Sequence, residues 1–331
     1  MKILTKLIFI LFFVSVQSQN QELIDNNVRD YPHFDSIDQL VLRVNNTIKS
    51  DEDKVRAYYT WMAHNIVYDL SEYYEIRSPE LNITFNSKSI NKSISNQKRR
   101  KLVKRIFKNR KGLCLGLSSL FQELCLRSNV EVELIKGITK ISVDDINNTD
   151  YLKNHAWNAV KINNQWQYID VSFSSGYQNS STGRWEKHFN DFYFFTDPEK
   201  LIKTHLPANE NFQLIKELIT AKTFFNRPLI YAKYFESGLE LSNDQNGLVN
   251  VSKEDKKVRI KFKGINTNSS FYYKFDTDSY LKELKFYKGD NDFSIALKYK
   301  SKKGEVLSIY HENFKILDFK IEMKPHKQIA Q

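Results

Sequence analysis

The sequence has few of the residues on which cofactor and disulfide frameworks depend. Its 331 residues include two cysteines, Cys114 and Cys125, together with 10 glycines and 6 prolines. Two cysteines allow at most one disulfide and supply too few thiolates for a cysteine-rich zinc cluster. Neither a phosphate-binding glycine loop nor a zinc-ligand spacing occurs in the chain. The sequence therefore predicts no cofactor and no metal.

Long apolar runs are also scarce, and the clearest one lies at the start. Lys2 and Lys6 precede an apolar stretch over residues 7–16, which ends in short side chains. This order is typical of a secretory signal peptide, and the run is shorter than the roughly 20 residues that span a bilayer. We therefore expect residues 1–18 to be a signal peptide and the protein to be exported to the periplasm, cell surface or medium. An uncleaved anchor is the alternative.

Acidic residues are fewer than basic ones, which gives a formal net charge of +11. Basic clusters lie at residues 98–104 and 108–111. Such a surface favours an anionic partner, and a cell-surface polymer is the candidate that agrees with export. No zinc-finger spacing, RNA-binding signature or recognition-helix pattern accompanies the charge, so we expect no nucleic acid partner.

The two cysteines lie in one predicted helix and cannot pair. Over residues 113–127 the leucines and Phe121 recur at three- and four-residue steps, which predicts a helix. Cys114 and Cys125 are then separated by roughly 16 Å along the axis. A disulfide needs Cα atoms about 4.4–6.8 Å apart. Each thiol therefore needs its own explanation.

The positions of the two thiols suggest different roles. Cys125 falls on the apolar stripe one turn from Phe121, and we interpret it as a small buried hydrophobe. Cys114 begins the helix, where free N–H groups and the positive dipole end favour a thiolate and can later bind an oxyanion. A core position would explain Cys114 equally well unless a base lies nearby.

A base is supplied by the segment NHAWNAVKINNQWQYIDVSF, residues 154–173. Two aromatic and β-branched stretches flank Asn163-Asn164, residues that tolerate the positive φ of a tight turn. The segment therefore predicts a β-hairpin in which Ile162 faces Gln165.

In this register His155 lies opposite Ser172 and Trp157 lies opposite Asp170. His155 and Asp170 then share a face as diagonal neighbours, about 7 Å apart by backbone and within side-chain reach. A three-residue turn would put them on opposite faces. His155 is the candidate base for Cys114, and Asp170 is the candidate group that orients the imidazole. A surface His–Asp pair with no catalytic role is the alternative.

The order Cys, His, Asp and the segments GLCLGLSSLFQELC, NHAWNAVKI and WQYIDVSFSSGY resemble the transglutaminase-like superfamily of papain-type thiol enzymes. Residues 51–69 look like the leading helix of that family and its extended exit. Residues 191–215 are similar to the kyphoscoliosis-peptidase branch, and the likeness covers roughly residues 36–240.

The resemblance implies an α+β papain-like core with Cys114 as nucleophile, His155 as general base and acid, and Asp170 as orienting group. The implied function is that of a cysteine peptidase, amide hydrolase or acyltransferase, which forms a thioester with a peptide or protein substrate. Protease and transamidase share the acylation step, so both stay open. A catalytically silent module that binds peptide or cell-surface material is the alternative.

Two departures from the family pattern affect the shape of the site. Leu-Gly-Leu-Ser follows the cysteine where Gly-Tyr-Ala is frequent, and Val171-Ser172-Phe173 follows Asp170 where the family has a Thr-Trp pair. Neither departure removes a triad atom. For the second oxyanion donor the sequence offers Gln97, with a solvated loop residue as the alternative.

Residues 70–110 are polar and without clear periodicity, which predicts a long loop. The aromatic residues Tyr68, Tyr73, Tyr74 and Phe85 form a cluster that either floors a peptide groove or packs as a satellite of the core.

The pattern changes from about residue 229, where short stretches that alternate apolar and charged residues are separated by turn signals. This spacing predicts a β-sandwich. The predicted organisation is a signal peptide over residues 1–18, a transglutaminase-like domain over 19–228 and a β-sandwich-like domain over 229–331. His311 and His326 lack a cysteine or a ligand cluster, so we expect no catalysis in the last domain.

Overall fold

The computed structural model describes residues 19–76, 90–148, 154–179, 182–266, 268–300 and 305–324. The predicted signal peptide therefore lies outside the described residues, as do Phe85 and His326. The chain forms two compact units: residues up to 136 with 154–197, and residues 137–153 with 198 onward. The predicted domain boundary at residues 228 and 229 stays a prediction. Among the described residues, no helix is both long enough and apolar enough to cross a membrane.

The first unit is built from helices followed by strands, which confirms the predicted α+β class. Its first helix, α1, is described over residues 19–29. The other helices are α2 (Ile37–Thr47), α3 (Asp51–Asn65), α4 (Leu70–Ile76), α5 (Ile90–Asn109) and α6 (Cys114–Arg127). The strands are β1 (Val67–Tyr68), β2 (Lys111–Gly112), β3 (Val132–Thr139), β4 (His155–Ile162), β5 (Gln165–Ile169), β6 (Gly176–Gln178), β7 (Trp185–Lys187) and β8 (Phe194–Thr196).

Helix α3 shows how the sequence determines the helical layer. The Ser50 side chain caps its N-terminus by accepting a hydrogen bond from the Asp53 N–H, and three acidic residues occupy the positive dipole end of the first turn. The apolar residues at three- and four-residue steps are buried: Val55, Tyr58, Tyr59, Met62 and Ile66. Residues 55–63 are buried on all sides, so α3 is a central helix of the unit.

A sheet carries the second half of the first unit, with strands in the order β8-β5-β4-β3. β4 and β5 pair antiparallel from Ile162 opposite Gln165 to Asn158 opposite Ile169. Asn163 and Asn164 have φ values of 49° and 64°, as a two-residue turn with a left-handed backbone requires. The predicted hairpin and its register are therefore confirmed.

The long loop predicted over residues 70–110 is wrong for its described parts. α4 and α5 occupy residues 70–76 and 90–109. The helix has a narrow apolar stripe within a mostly polar segment. Val103, Ile106 and Phe107 are buried, while the lysines and arginines between them are mostly exposed. The three- and four-residue spacing of these apolar residues was the signal for a helix.

The second unit begins with the last residues of β3, Gly137–Thr139, which pair antiparallel with β9 (His205–Pro207). Its short helices are α7 (Pro198–Leu201) and α8 (Ala221–Asn226). Its other strands are β10 (Leu229–Ile230), β11 (Glu240–Leu241), β12 (Leu248–Ser252), β13 (Lys257–Gly264), β14 (Phe271–Phe275), β15 (Lys282–Glu283), β16 (Tyr287–Lys288), β17 (Phe293–Lys298), β18 (Glu305–His311) and β19 (Phe314–Lys324).

These strands form the predicted β-sandwich. One sheet has the order β10-β19-β18-β14-β15, with β12 parallel to β19, and the other has the order β11-β13-β17-β16. Along β13 the side chains of Val258, Ile260 and Phe262 point inward and alternate with exposed residues. They share one apolar core with Leu307 and Phe319 of the facing sheet.

Candidate active site

Cys114 lies at the N-terminus of α6, which the side chain of the preceding residue does not cap. Leu113 precedes the helix in an extended conformation and makes no side-chain cap hydrogen bond. The first N–H groups of a helix have no intrahelical acceptor, so here they can receive an anion beside the thiol. Cys114 is only 3% exposed.

The hairpin brings the predicted histidine and aspartate into direct contact. His155 Nε2 lies 2.5 Å from Asp170 Oδ2, and both side chains are buried. This contact leaves Nδ1 as the ring nitrogen that can face another group. A histidine held by a carboxylate in this way has a fixed tautomer and a fixed orientation.

Asp170 is itself held in place by the turn that follows it. Its second oxygen, Oδ1, accepts hydrogen bonds from the Ser172 N–H at 2.9 Å, the Ser172 hydroxyl at 2.7 Å and the Phe173 N–H at 2.9 Å. Three donors on one oxygen stabilise the ionised carboxylate and leave Oδ2 for His155. The departure Val171-Ser172-Phe173 therefore still supplies a hydroxyl to the carboxylate.

Polar contacts between α6 and β4 set the distance from thiol to imidazole. One turn after Cys114, the Ser118 hydroxyl donates to the carbonyl of Ala156, the neighbour of His155, at 2.8 Å. The Asn158 side chain donates to the Ser118 carbonyl at 3.2 Å. These bonds lock the helix N-terminus against the start of β4.

Cys114 consequently reaches His155, and the two side chains are hydrogen-bonded. Burial lowers the pKa of His155, but the charge and hydrogen bond of Asp170, with the contacts of Cys114, outweigh burial and raise that pKa above its ordinary 6.5. An imidazole with a raised pKa accepts a proton readily. The arrangement can therefore transfer the thiol proton to His155 and form a thiolate–imidazolium pair.

Two aromatic rings enclose the imidazole. The Trp157 ring lies 5.8 Å from it at 21°, and the Phe173 ring lies 4.6 Å from it at 37°. Phe173 thus retains an aromatic contact at the position where the family has a larger ring. The rings keep water from the His–Asp contact, which strengthens it electrostatically.

Tyr68 was missed as a site residue by sequence reasoning. Its hydroxyl lies near the Cys114 thiol. Its ring stacks on Trp185, with centroids 5.2 Å apart at 24°. The sequence carried a partial signal, because Tyr68 lies in the extended segment that follows α3 and belongs to the predicted aromatic cluster.

The other sequence candidates lie in different places. Gln97 is exposed on α5, and a role as oxyanion donor stays a prediction. Cys125 is fully buried in the apolar interior, and burial raises its pKa, as expected for a packing residue. Both cysteines are free thiols, which confirms that they do not pair. In the aromatic cluster, Tyr73 contacts both Tyr68 and Tyr74.

Comparison with known proteins finds similar sequences over the residues that form this site. The family model of the transglutaminase-like superfamily matches residues 38–171, a range that includes Cys114, His155 and Asp170. Human kyphoscoliosis peptidase is 24% identical over 239 residues, which cover 71% of this chain and 33% of that protein. Cytokinesis protein 3 of Schizosaccharomyces pombe is 31% identical over 142 residues, which cover 43% of this chain and 16% of that protein.

The chain thus spans about a third of the length of the kyphoscoliosis peptidase that it matches. A crystal structure of a TGase is 15% identical and covers 54% of this chain and 42% of its own, with a TM-score of 0.29, which is too low to carry an argument. Residues 38–171 of the chain, which contain the Cys114, His155 and Asp170 site, are thus similar to the transglutaminase-like superfamily.

Proposed function

We propose that this protein is a thiol enzyme that transfers acyl groups from peptide or protein amides, with Cys114 as nucleophile, His155 as general base and acid, and Asp170 as the group that orients His155. The observation that carries the proposal is the buried chain of contacts from Cys114 to His155 and from His155 to Asp170 at 2.5 Å. A nucleophile, a base and an orienting carboxylate in sequence are the requirement for covalent catalysis.

In the acylation step, His155 Nδ1 takes the proton of Cys114 and the sulfur attacks the carbonyl carbon of the amide. The carbonyl electron pair moves to oxygen, where the N–H groups at the start of α6 stabilise the negative charge. When the tetrahedral intermediate collapses, the C–N bond breaks and the leaving amine takes the proton from His155. A thioester on Cys114 and a free amine are the products of this step.

In the deacylation step, His155 takes a proton from the attacking group, which then displaces the Cys114 sulfur. Water as the attacking group gives a peptidase or amide hydrolase, and an amine gives a transamidase. Both reactions need the same three side chains. The fate of the thioester is therefore decided by which nucleophile reaches it.

The same proposal extends to location and partners. Export is supported by the N-terminal segment, residues 1–18, in which basic residues precede an apolar stretch.

An anionic partner is supported by the exposed face of α5. Lys98, Lys101, Lys104 and Lys108 are exposed along one side of that helix, at three- and four-residue steps. A polyanion of the cell surface fits this stripe of charge. Chromatography on heparin, a polyanion, tests this fit. Substitution of Lys101 and Lys104 by glutamine should lower the salt concentration at which the protein elutes.

The direct test of the reaction uses p-nitrophenyl acetate, a small activated ester that needs no specific subsite. The proposal predicts rapid release of p-nitrophenolate and one added acetyl group, located on Cys114 by peptide mass spectrometry. Cys125→Ala is the matched control and keeps both signals. Equal release by the wild type and by Cys114→Ala would assign the protein to the silent binding modules instead.

The competition between water and amine is measured on the same acetylated protein. Glycinamide is added at increasing concentration, and the products are separated into acetate and acetylglycinamide. A rising share of acetylglycinamide assigns a transamidase, whereas acetate alone assigns a hydrolase.

A further inference from the structure

Tyr68 is brought to the site by a short pairing that leads directly into the nucleophile. β1 and β2 are parallel, and Tyr68 lies opposite Gly112, two residues before Cys114. The pair is extended by the Asp69 N–H, which donates to the Gly112 carbonyl at 3.0 Å. The backbone of Tyr68 is therefore fixed relative to the start of α6.

The Tyr68 side chain is fixed as well. Its ring stacks on Trp185 of β7, and its hydroxyl lies near the Cys114 thiol. The hairpin that carries Trp185 is attached to α3 by Lys187 Nζ, which donates to the His64 carbonyl at 2.7 Å. The Tyr68 ring is thus held in place by Trp185, and its hydroxyl faces the Cys114 sulfur.

The Tyr68 hydroxyl keeps its proton in this setting. Burial raises the pKa of Tyr68, and the neighbouring Cys114, Tyr73 and Asp170 raise it further. The group at the sulfur is therefore a neutral O–H donor throughout the neutral pH range. A donor that reaches the sulfur is also within reach of an oxygen on the carbon bonded to that sulfur.

We propose that the Tyr68 hydroxyl is an oxyanion donor of this site and acts together with the N–H groups at the start of α6. The inference rests on the proposed acyl transfer. When Cys114 attacks a carbonyl carbon, the S–C bond forms, the carbonyl π pair moves to oxygen, and Tyr68 donates its hydrogen bond to that oxygen without losing its proton. Exposed Gln97 of α5 is then not needed for this role.

Two reactions of Cys114 separate this role from others. Alkylation by iodoacetamide is a displacement at a saturated carbon and forms no oxyanion, whereas acylation by p-nitrophenyl acetate passes through one. Tyr68→Phe removes only the hydroxyl and keeps the ring that stacks on Trp185. We expect this change to slow acylation on the order of 10²–10³-fold, the usual effect of losing one oxyanion donor. Alkylation should change by less than about threefold, because the thiolate–imidazolium pair is intact.

Tyr177→Phe is the matched control, since its hydroxyl bonds Glu186 within the hairpin at 2.8 Å and its side chain is half exposed. It should leave both rates unchanged. Circular dichroism and the melting temperature verify that each variant is folded. Trp185→Leu releases the Tyr68 ring and should slow acylation by about 10- to 100-fold through misplacement of the hydroxyl, again with little effect on alkylation.

Three results would overturn the inference. If Tyr68→Phe leaves acylation intact, the hydroxyl donates to no oxyanion. If both reactions slow together, Tyr68 acts on formation of the thiolate. If the wild type is alkylated rapidly but not acylated, the site lacks an oxyanion hole. Failure of the proposed function is distinct, because then the wild type shows neither rapid alkylation nor Cys114-dependent acylation.

Discussion

The two ends of α6 each bury a cysteine, yet they prepare the two thiols for different tasks. Cys114 is 3% exposed and Cys125 is 0% exposed, so solvent access hardly distinguishes them. The neighbours differ: Cys114 faces the His155 imidazole and the Tyr68 hydroxyl, whereas burial alone raises the pKa of Cys125. The two cysteines of this helix therefore differ in the groups around the sulfur and not in exposure.

The helix backbone adds to the contrast. At the N-terminus, no Leu113 side chain caps the free N–H groups, and the positive dipole end favours a thiolate. At the C-terminus, the Cys125 carbonyl accepts hydrogen bonds from the N–H groups of Ser128 and Val130, both at 3.0 Å. That end carries the negative part of the dipole, which disfavours an anion.

The largest expected difference between the two thiols is in acyl transfer. Cys114→Ala should abolish the acetyl adduct and the release of p-nitrophenolate, because no other group can form the thioester. Cys125→Ala should retain both signals within a few-fold, as a packing change far from the site. Release kinetics with intact-protein mass spectrometry measure both. Comparable activity in the two variants would remove the distinction between the helix ends.

The next effect concerns the carboxylate behind the imidazole. Asp170→Asn keeps the shape of the side chain but removes the charge and favours the wrong imidazole tautomer, so acylation should fall on the order of 10³–10⁴-fold. Asn at this position should also return the pKa of His155 toward its ordinary range. The pKa is measured from the imidazole proton resonances in an NMR titration. A His155 pKa that stays high in Asp170→Asn would show that another group raises it.

The raised pKa of His155 also makes stability depend on pH. Protonated His155 is favoured in the folded protein, so its contribution to the free energy of unfolding is complete below the ordinary value of 6.5. The contribution is lost as the pH rises through the raised folded value. Urea unfolding across this range should show a larger decline for the wild type than for Asp170→Asn.

Substitution by serine should lower the stability more at Cys125 than at Cys114, whereas for activity Cys114 is the more sensitive position. Cys125→Ser places a hydroxyl in a fully buried site and should lower the free energy of unfolding by about 1–3 kcal/mol. Cys114→Ser retains polar neighbours for the hydroxyl and should cost less than about 1 kcal/mol. Urea denaturation at pH 7 gives both values. An equal loss would mean that the two surroundings do not differ in polarity.

The smallest predicted effect tests the bond that sets the distance between thiol and imidazole. Ser118→Ala leaves the Ala156 carbonyl without its side-chain donor and should lower stability by about 1 kcal/mol. Acylation should slow by about tenfold as the N-terminus of α6 shifts from β4. Ser119→Ala, on the next position of the same helix, is the matched control for helix propensity. Loss of stability without loss of rate would show that the bond serves packing alone.

Much of the site could be predicted because its geometry is local. The spacing of leucines predicts α6 and separates the two thiols, and Asn163-Asn164 determines a hairpin register that brings His155 to Asp170. These inferences depend on helix rise and on strand alternation, which follow from sequence directly. The contact between α6 and β4 is tertiary, and only the family resemblance linked Cys114 to the hairpin.

The missed features depend on packing across distant segments. Tyr68 meets Cys114 through a two-residue parallel pairing and a stack on Trp185, more than a hundred residues later in the chain. No local pattern encodes such a contact. The sequence predicts a loop at α5 because lysines, asparagines and serines outnumber a narrow apolar stripe there. In the fold, Ile106 and Phe107 of that stripe are buried, and such tertiary packing stabilises a helix.

Activation of Cys114 by its neighbours is tested by the pH dependence of iodoacetamide alkylation, with Cys125 as internal control. The raised pKa of His155 keeps the imidazolium charged at pH 7, so Cys114 should react rapidly there while Cys125 stays unlabelled. In His155→Ala the rate at Cys114 should fall about 100-fold at pH 7, because the base that takes the thiol proton is gone. Equal, slow labelling of both cysteines in the wild type would show that the neighbours of Cys114 do not activate it.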